Sequence, residues 1–454
     1  MSASAKAHPP TQSTARRILR NTAWLLGGKG FGGLCSIFYL AILSRSLGLK
    51  QFGHFSLIFG TAQALVAIAG FQTWQAVVRY GAAYVHDNDW LRFSRLSMLC
   101  GIIDAAGALF GCAIAAIIFI GFAGMLDLNP AYVNMAFAFN CALMWGRVSA
   151  PTGMMRALNR FDAAVYVEAT VPLGRLIAAS FIWWYGPSVG RFLLAWALID
   201  IASAVMYWAL ALRLNPRGFD FSGLRNWRET VKENPGIRRF LFIISSASTL
   251  DAAYKQGPLL AVGFFLGTST AGLYRLADQL AQGFSKVSTL LARAIYPEVN
   301  RARVASSPAE FRRMVLRIIQ VAAMGGGFVV LVAIAAGGHL LSLIGGEAFG
   351  AGAAILVPLA IAASFELASV AFEPVLHSTG RARAALAGRL VAVATLIAAI
   401  LVLHDAGAIG IAWSVASAGA VAYLTMGLLA WRTLQRLERH EIEVVDEERG
   451  STAE

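Results

Sequence analysis

Apolar runs of about twenty residues, the length needed to cross a hydrocarbon core as helix, recur from Asn21 to Trp431. Basic residues collect in every second gap between these runs. Together these features limit the chain to an all-α, polytopic membrane protein. The runs read as twelve spans: 20–44, 53–76, 96–121, 131–151, 164–185, 190–211, 240–265, 271–293, 315–336, 351–375, 384–403 and 408–430. Hydrophobic residues make up 57% of the chain and charged ones 14%, against about 25% charged in soluble domains. A soluble chain of 454 residues with that balance lacks the polar surface to cover itself. Pro172, Pro258 and Pro358 fall inside spans, where neighbouring helices re-satisfy the freed backbone groups.

The charge distribution sets the expected orientation. Of 38 Lys and Arg residues, 30 lie in the two tails and in alternate gaps; the opposite gaps hold only Arg45, Lys50 and Arg191. Arg147, Arg156 and Arg160 are counted on the basic side, as are the bases of the segment from Arg213 to Arg239. Under the positive-inside rule both termini are expected in the cytoplasm. The net charge of +13 is therefore a topology signal, and nucleic acid is not an expected partner. The first apolar run is too long for a secretory signal and lacks a small-residue cleavage site, so it reads as an uncleaved span. Cys35, Cys100, Cys112 and Cys141 all fall within spans and show no metal-ligand spacing. They read as packing residues, and no metal or cofactor is expected. The sequence carries neither a phosphate-binding glycine loop nor a loop cluster of His, Asp and Glu, and the periplasmic gaps are short. Nothing in it reads as an enzyme.

The chain repeats itself once. Leu47-Gly48 is followed by Gly53 and Phe55, and Leu266-Gly267 by Gly272 and Tyr274 at the same spacing. Leu158-Asn159-Arg160 corresponds to Thr379-Gly380-Arg381, Ala195-Trp196 to Ala412-Trp413, and Ala204–Tyr207 to Ala420–Tyr423. Near-constant offsets argue for two six-helix lobes of the same orientation, a parallel repeat. The expected organisation is a tail over 1–19, an N-lobe over 20–212, a cytoplasmic linker over 213–239, a C-lobe over 240–431 and a tail over 432–454. A short surface helix is expected around Trp227.

Several segments carry a family resemblance: Asn21-Thr22-Ala23-Trp24-Leu25-Leu26, then Leu43-Ser44-Arg45-Ser46-Leu47-Gly48 and Gln51-Phe52-Gly53. Val77-Val78-Arg79-Tyr80, Gly272-Leu273-Tyr274 and Ala294-Ile295-Tyr296-Pro297-Glu298 follow. In order and topology they resemble the polysaccharide and oligosaccharide-lipid flippases of the multidrug/oligosaccharidyl-lipid/polysaccharide exporter superfamily. The resemblance runs from about Arg17 to Trp431. It implies two lobes around a cavity that opens alternately to each side. It also implies an undecaprenyl-pyrophosphate-linked glycan as substrate, and membrane lipids, a polysaccharide polymerase and glycosyltransferases as working partners.

Ionisable residues inside spans cost at least about 2.5–3.5 kcal/mol each and so mark a cavity or a partner. Lys29 lies deep in the first span; it reads either as a substrate contact or as a base neutralised by an acid on another helix. In the eighth span Arg275, Asp278, Gln279, Gln282 and Lys286 recur at intervals of three or four, which places them on one helical face. That stripe suits either a wet cavity or a polar seam against a neighbouring helix. Arg275 and Asp278 are a possible pair, which would leave Lys286 and the glutamines for ligand. Asp251 and Lys255 are expected to pair, and Glu168 and Arg175 share a face. Glu366 and Glu373 have no base in their own span, so Glu366, with Asp278 and Asp251, is a candidate for ion coupling. Asp104 and Asp200 receive no role. Lys29, Arg275, Lys286, Gln279, Gln282, Arg45 and Arg175 form the candidate substrate set. Interior acids are at least as numerous as bases, so an anion-selective cavity follows from the resemblance and not from the charges. The reading is a flippase for a lipid-linked polysaccharide unit working by alternating access. Its rivals are a multidrug/cation antiporter of the same superfamily and a non-transporting scaffold for glycan synthesis.

Overall fold

In the computed structural model the backbone is described for residues 11–122, 124, 127–215, 227–305, 308–372, 375–376 and 382–451. Side chains are described for 30–122, 124, 127–160, 163–215, 227–283, 310, 312–372, 375–376 and 386–436. Among the described residues there are helices and no strand. The helices are α1 (Thr11–Ala69), α2 (Thr73–His86), α3 (Trp90–Ala116), α4 (Pro130–Trp145), α5 (Ala150–Ala157), α6 (Phe161–Tyr185), α7 (Val189–Leu214) and α8 (Trp227–Glu233). They continue with α9 (Ile237–Ala305), α10 (Pro308–Gly345), α11 (Ala353–Ala368), α12 (Ala382–Leu403) and α13 (Gly407–Ser451). Eight helical stretches among the described residues are long and apolar enough to cross a membrane. Three of them, Gly30–His86, Ile237–Gly283 and Leu386–Arg436, run to 57, 47 and 51 residues, at least twice the roughly 20 that one crossing needs.

These long stretches break where the sequence places glycine or a polar turn. In α1 the chain leaves helical geometry at Gly48 (φ 67°, ψ 177°), and in α9 at Gly267 (φ 81°, ψ 177°). Positive φ of this kind is freely available only to glycine. The two residues that open the repeat in the sequence therefore share one backbone conformation. The second halves of the two motifs also meet. A Cβ on Gly53 would overlap the Thr268 carbonyl, and one on Gly272 would overlap the Leu49 carbonyl. Farther along, Gly60 lies under Leu259 and Gly263 under Leu57. The Gly53 and Gly272 contacts are counterparts in the two repeats, and small residues let the backbones approach closely, as membrane helices require.

The chain packs as two compact units, each discontinuous in sequence. One comprises Met1–Ile42, Ala69–Ala115 and Ala138–Ser245; the other comprises Leu43–Ile68, Ala116–Phe137 and Ser246–Glu454. The reciprocal glycine contacts lie within the second unit, which includes Leu43–Ile68. In the first unit Phe93, Leu96, Met154, Met155, Tyr207 and Ile237 share one core. The expected helix at Trp227 is α8, and it is tied down next to α2 and α3. Tyr84 donates to Asn234 Oδ1 at 3.1 Å, and Arg92 meets Glu233 at 3.4 Å. In the second unit Phe372 and Val375 pack with Val315, Ala430 and Leu434.

The second unit also satisfies its exposed helix ends. Asp127 Oδ2 accepts from the backbone N–H and the hydroxyl of Thr268, both at 3.2 Å, where helix resumes after Gly267. The Thr268 backbone N–H, above all, holds the Asp127 carboxyl below its ordinary value. This contact is complete above the ordinary carboxylate pKa of about 3.9 and is lost only as pH falls through the lowered value. Arg45 donates to the Leu343 carbonyl and, at 3.2 Å, to the Ile344 carbonyl. Its guanidinium thereby caps the carbonyl end of α10. Arg45, one of the candidate substrate contacts, is thus placed at this helix end.

The paired glycines generate a direct prediction. Gly53→Ala is expected to lower the melting temperature of the purified protein in detergent, because overpacking costs about 1–3 kcal/mol or more. Gly257→Ala, whose Cβ meets nothing within 4 Å, is expected to leave it unchanged or raise it slightly.

Candidate functional site

Two helix breaks in the first unit lie side by side. The chain leaves helix at residues 70–72, before α2, and again at 146–149, between α4 and α5. Each break frees backbone groups that hydrocarbon cannot satisfy. Asp104, on α3, serves both. Its carboxylate accepts from the Thr73 hydroxyl at 2.7 and 2.8 Å and from the Ala150 N–H at 2.8 Å. Ser149 Oγ accepts from the Trp74 N–H at 3.1 Å and lies 2.7 Å from Thr73 Oγ1. Arg147 donates to the Phe71 carbonyl at 3.0 Å. The first turns of α2 and α5 are thus capped by side chains from other elements. Gly153 permits the contact between these helices, since a Cβ there would press on the Trp74 backbone and Val77.

Beside this network lies a cavity of about 450 Å³, within the range of about 300–1,000 Å³ typical of small-molecule sites. Gln72, Trp74, Arg147, Ser149, Thr152, Glu168, Val171, Asp200, Ser203 and Tyr207 line it. Arg175 on α6 reaches Asp200 on α7 at 2.8 Å and sits 5.6 Å from the Trp196 ring centroid. Tyr207 donates to Glu168 Oε1 at 3.3 Å and to the Ala164 carbonyl at 3.2 Å. Gln72 Oε1 accepts from the Trp74 indole N–H at 2.9 Å, and the Arg156 guanidinium stacks 4.3 Å from the Trp74 ring centroid. Carboxylates, hydroxyls, an amide and two aromatic rings face one space inside an apolar bundle.

The sequence-expected residues are distributed as follows. Arg175 stands at this cavity through Asp200, whereas Arg45 is at the end of α10. Arg275 and Asp278 are buried and lie 3.6 Å apart. The glutamines of the stripe close around this pair. Gln282 donates to Asp278 at 2.7 Å, and Gln279, with its amide oxygen turned to Arg275, accepts from it at 2.7 Å. Lys29, Lys286 and Glu373 lie outside the residues whose side chains are described. Glu366 is exposed on α11. The expected Asp251–Lys255 pair is corrected: Asp251 bonds Arg389 on α12 at 2.8 Å. A neighbouring helix offers the better geometry than a residue one turn along. Glu168 and Arg175 likewise turn to Tyr207 and Asp200 and not to each other.

Sequence reasoning passed over Gln72, Trp74 and Ser149, gave Asp104 and Asp200 no role, and counted Arg147 only as a topology charge. A usable signal was present: Gly146-Arg147 and Ser149 followed by Pro151, and Gly70 shortly before Thr73. Such residues interrupt helices.

The first unit is thus a helical bundle whose interrupted helices border a polar cavity, and comparison places the fold. The inward-facing structure of a multidrug resistance MATE family transporter of the MOP superfamily matches with a TM-score of 0.67 at 15% identity, covering 89% of this chain and 96% of that one. The lipid II flippase MurJ in an inward closed conformation matches with a TM-score of 0.67 at 10% identity, covering 91% and 90%. The fold is therefore that of the MOP superfamily transporters. The chain belongs to the polysaccharide biosynthesis protein family, whose profile matches residues 18–302. Inner membrane protein YghQ of Escherichia coli (strain K12) is 28% identical over 339 residues, spanning 73% of this chain and 93% of that protein.

Asp104 gives the sharpest prediction. Asp104→Ala is expected to cost at least about 2 kcal/mol, since each hydrogen bond to a charged group contributes about 1.5–3 kcal/mol. The loss should appear as a lower melting temperature in detergent. Asp104→Asn, which keeps one acceptor oxygen, is expected to fall between Ala and the parent protein.

Proposed function

We propose that this protein is an inner-membrane flippase that moves a polyprenyl-pyrophosphate-linked glycan unit from the cytoplasmic to the periplasmic leaflet by alternating access. Membership of the polysaccharide biosynthesis family supports the glycan. The fold shared with lipid II flippase MurJ supports a lipid-linked cargo, and the inner-membrane relative supports the location. The observation that carries the reading is the polar cavity held open by two broken helices inside an apolar bundle. A scaffold needs no such space, and the hydroxyl and amide groups of the lining suit a polyhydroxylated cargo. Both termini and the 213–239 linker are placed in the cytoplasm by the charge split. A polymerase and glycosyltransferases are the partners such a step requires.

The test is deletion of the gene in its native strain, followed by chase of radiolabelled lipid-linked units. Surface polysaccharide is expected to disappear while sealed inside-out vesicles show the units accumulating on the cytoplasmic leaflet. Normal export in the deletion strain would remove the flippase assignment. Lys29, Arg275 and Lys286 are the proposed bases for the pyrophosphate, and each Ala substitution is expected to reduce export without loss of inserted protein.

Coupling is assigned to Glu366, an exposed acid on an apolar helix, because an ionisable side chain within a span marks a functional position. Glu366→Gln is expected to slow export at least several-fold and flatten its pH dependence at unchanged abundance. A variant with parental rate and pH profile would exclude it.

A further inference from the structure

We infer that the cavity of the first unit is a sugar-binding subsite: it takes a neutral sugar ring of the cargo and not its pyrophosphate. The inference rests on the glycan-transport reading and adds which part of the cargo sits where. The charges argue first. The cavity's basic groups are Arg147 and, through Asp200, Arg175; its acids are Glu168 and Asp200, with Asp104 immediately behind. The Arg175 guanidinium is held by Asp200, and Arg147 donates to the Phe71 carbonyl. Arg156, stacked on Trp74, is a third base beside the three acids, so the formal charge at and around the lining is balanced. A pyrophosphate entering here would be desolvated without a net cationic partner, which is strongly unfavourable.

The same lining suits a polyol. A carboxylate is acceptor-only and takes two donors side by side, matching adjacent sugar hydroxyls at Glu168 and Asp200. Gln72, Ser149, Thr152 and Ser203 supply further donors and acceptors. Trp74 supplies aromatic surface with a polar handle for the apolar face of a pyranose, while the buried Tyr207 ring fixes Glu168 through its hydroxyl. Both rings are already fixed: Trp74 by Gln72 and Arg156, and Tyr207 by Glu168 and Ala164. Preorganised side chains lose little entropy on binding. The volume of about 450 Å³ admits a sugar unit and excludes a long polyprenyl tail.

Val171 lines the cavity and is half-buried, so it makes a reporter. Val171→Cys is introduced into a chain whose four native cysteines are replaced by alanine, and its reaction with a small methanethiosulfonate is timed in detergent. Two probes are compared: the saccharide released by mild acid from the strain's own lipid-linked pool, and farnesyl pyrophosphate. The saccharide is expected to slow labelling in a saturable way and farnesyl pyrophosphate is not. Glu168→Gln, which keeps an acceptor for Tyr207, is expected to raise the half-protecting saccharide concentration about tenfold. Protection by farnesyl pyrophosphate alone, by sodium ions alone, or by neither probe overturns the subsite. If the saccharide protects while the deletion strain exports normally, the flippase reading fails and the sugar site stands. If the deletion blocks export while no saccharide protects, the subsite fails alone.

Discussion

A backbone amide in hydrocarbon has no water to turn to, and the arrangement of the first unit follows from that constraint. Two helices break inside the bundle, at 70–72 and 146–149. The breaks survive because one carboxylate, Asp104, and one hydroxyl, Ser149, satisfy the helix starts they create. The cavity exists beside them because broken helices diverge where continuous ones would pack. Arg147, placed in the second break, can face this space only because the chain is not helical there.

The second unit answers the same constraint differently. Its interruptions at Gly48 and Gly267 are sharp, share one backbone conformation, and are covered by reciprocal backbone contacts through Gly53 and Gly272. Asp127 and Arg45 close the remaining helix ends. Charged residues that read from the sequence as ligand contacts can therefore be structural. Arg45, together with Ser44, donates to the carbonyls at the end of α10. Gln282 bonds Asp278, and Gln279 faces Arg275, in the buried cluster of the same helix.

The two repeats have diverged around chemistry. Trp196 is 1% exposed and packs against Tyr39 and Phe192, with Arg175 over its ring; its counterpart Trp413 is 46% exposed. Tyr207 bonds Glu168 at the cavity, whereas Tyr423 packs between Phe365 and Phe372. The first repeat has built its equivalent positions into a polar site. The second uses them for apolar packing, which is why the sugar chemistry is assigned to one unit alone.

The amino-acid sequence by itself determined the class: helices only, a membrane environment, an internal repeat and the glycines at which it kinks. Those properties are local or periodic, set by runs of apolar residues, by the φ that only glycine adopts freely, and by spacing along one chain. The partners of the interior charges were decided by tertiary structure. Asp251 passes over Lys255 for Arg389, Arg175 passes over Glu168 for Asp200, and Asp104 acquires three hydrogen bonds from residues 31 and 46 positions away. Helical spacing says which residues share a face and nothing about which helix lies opposite. In a medium without water every interior polar group must find its partner on such a neighbour, so the site became legible only once the helices were packed.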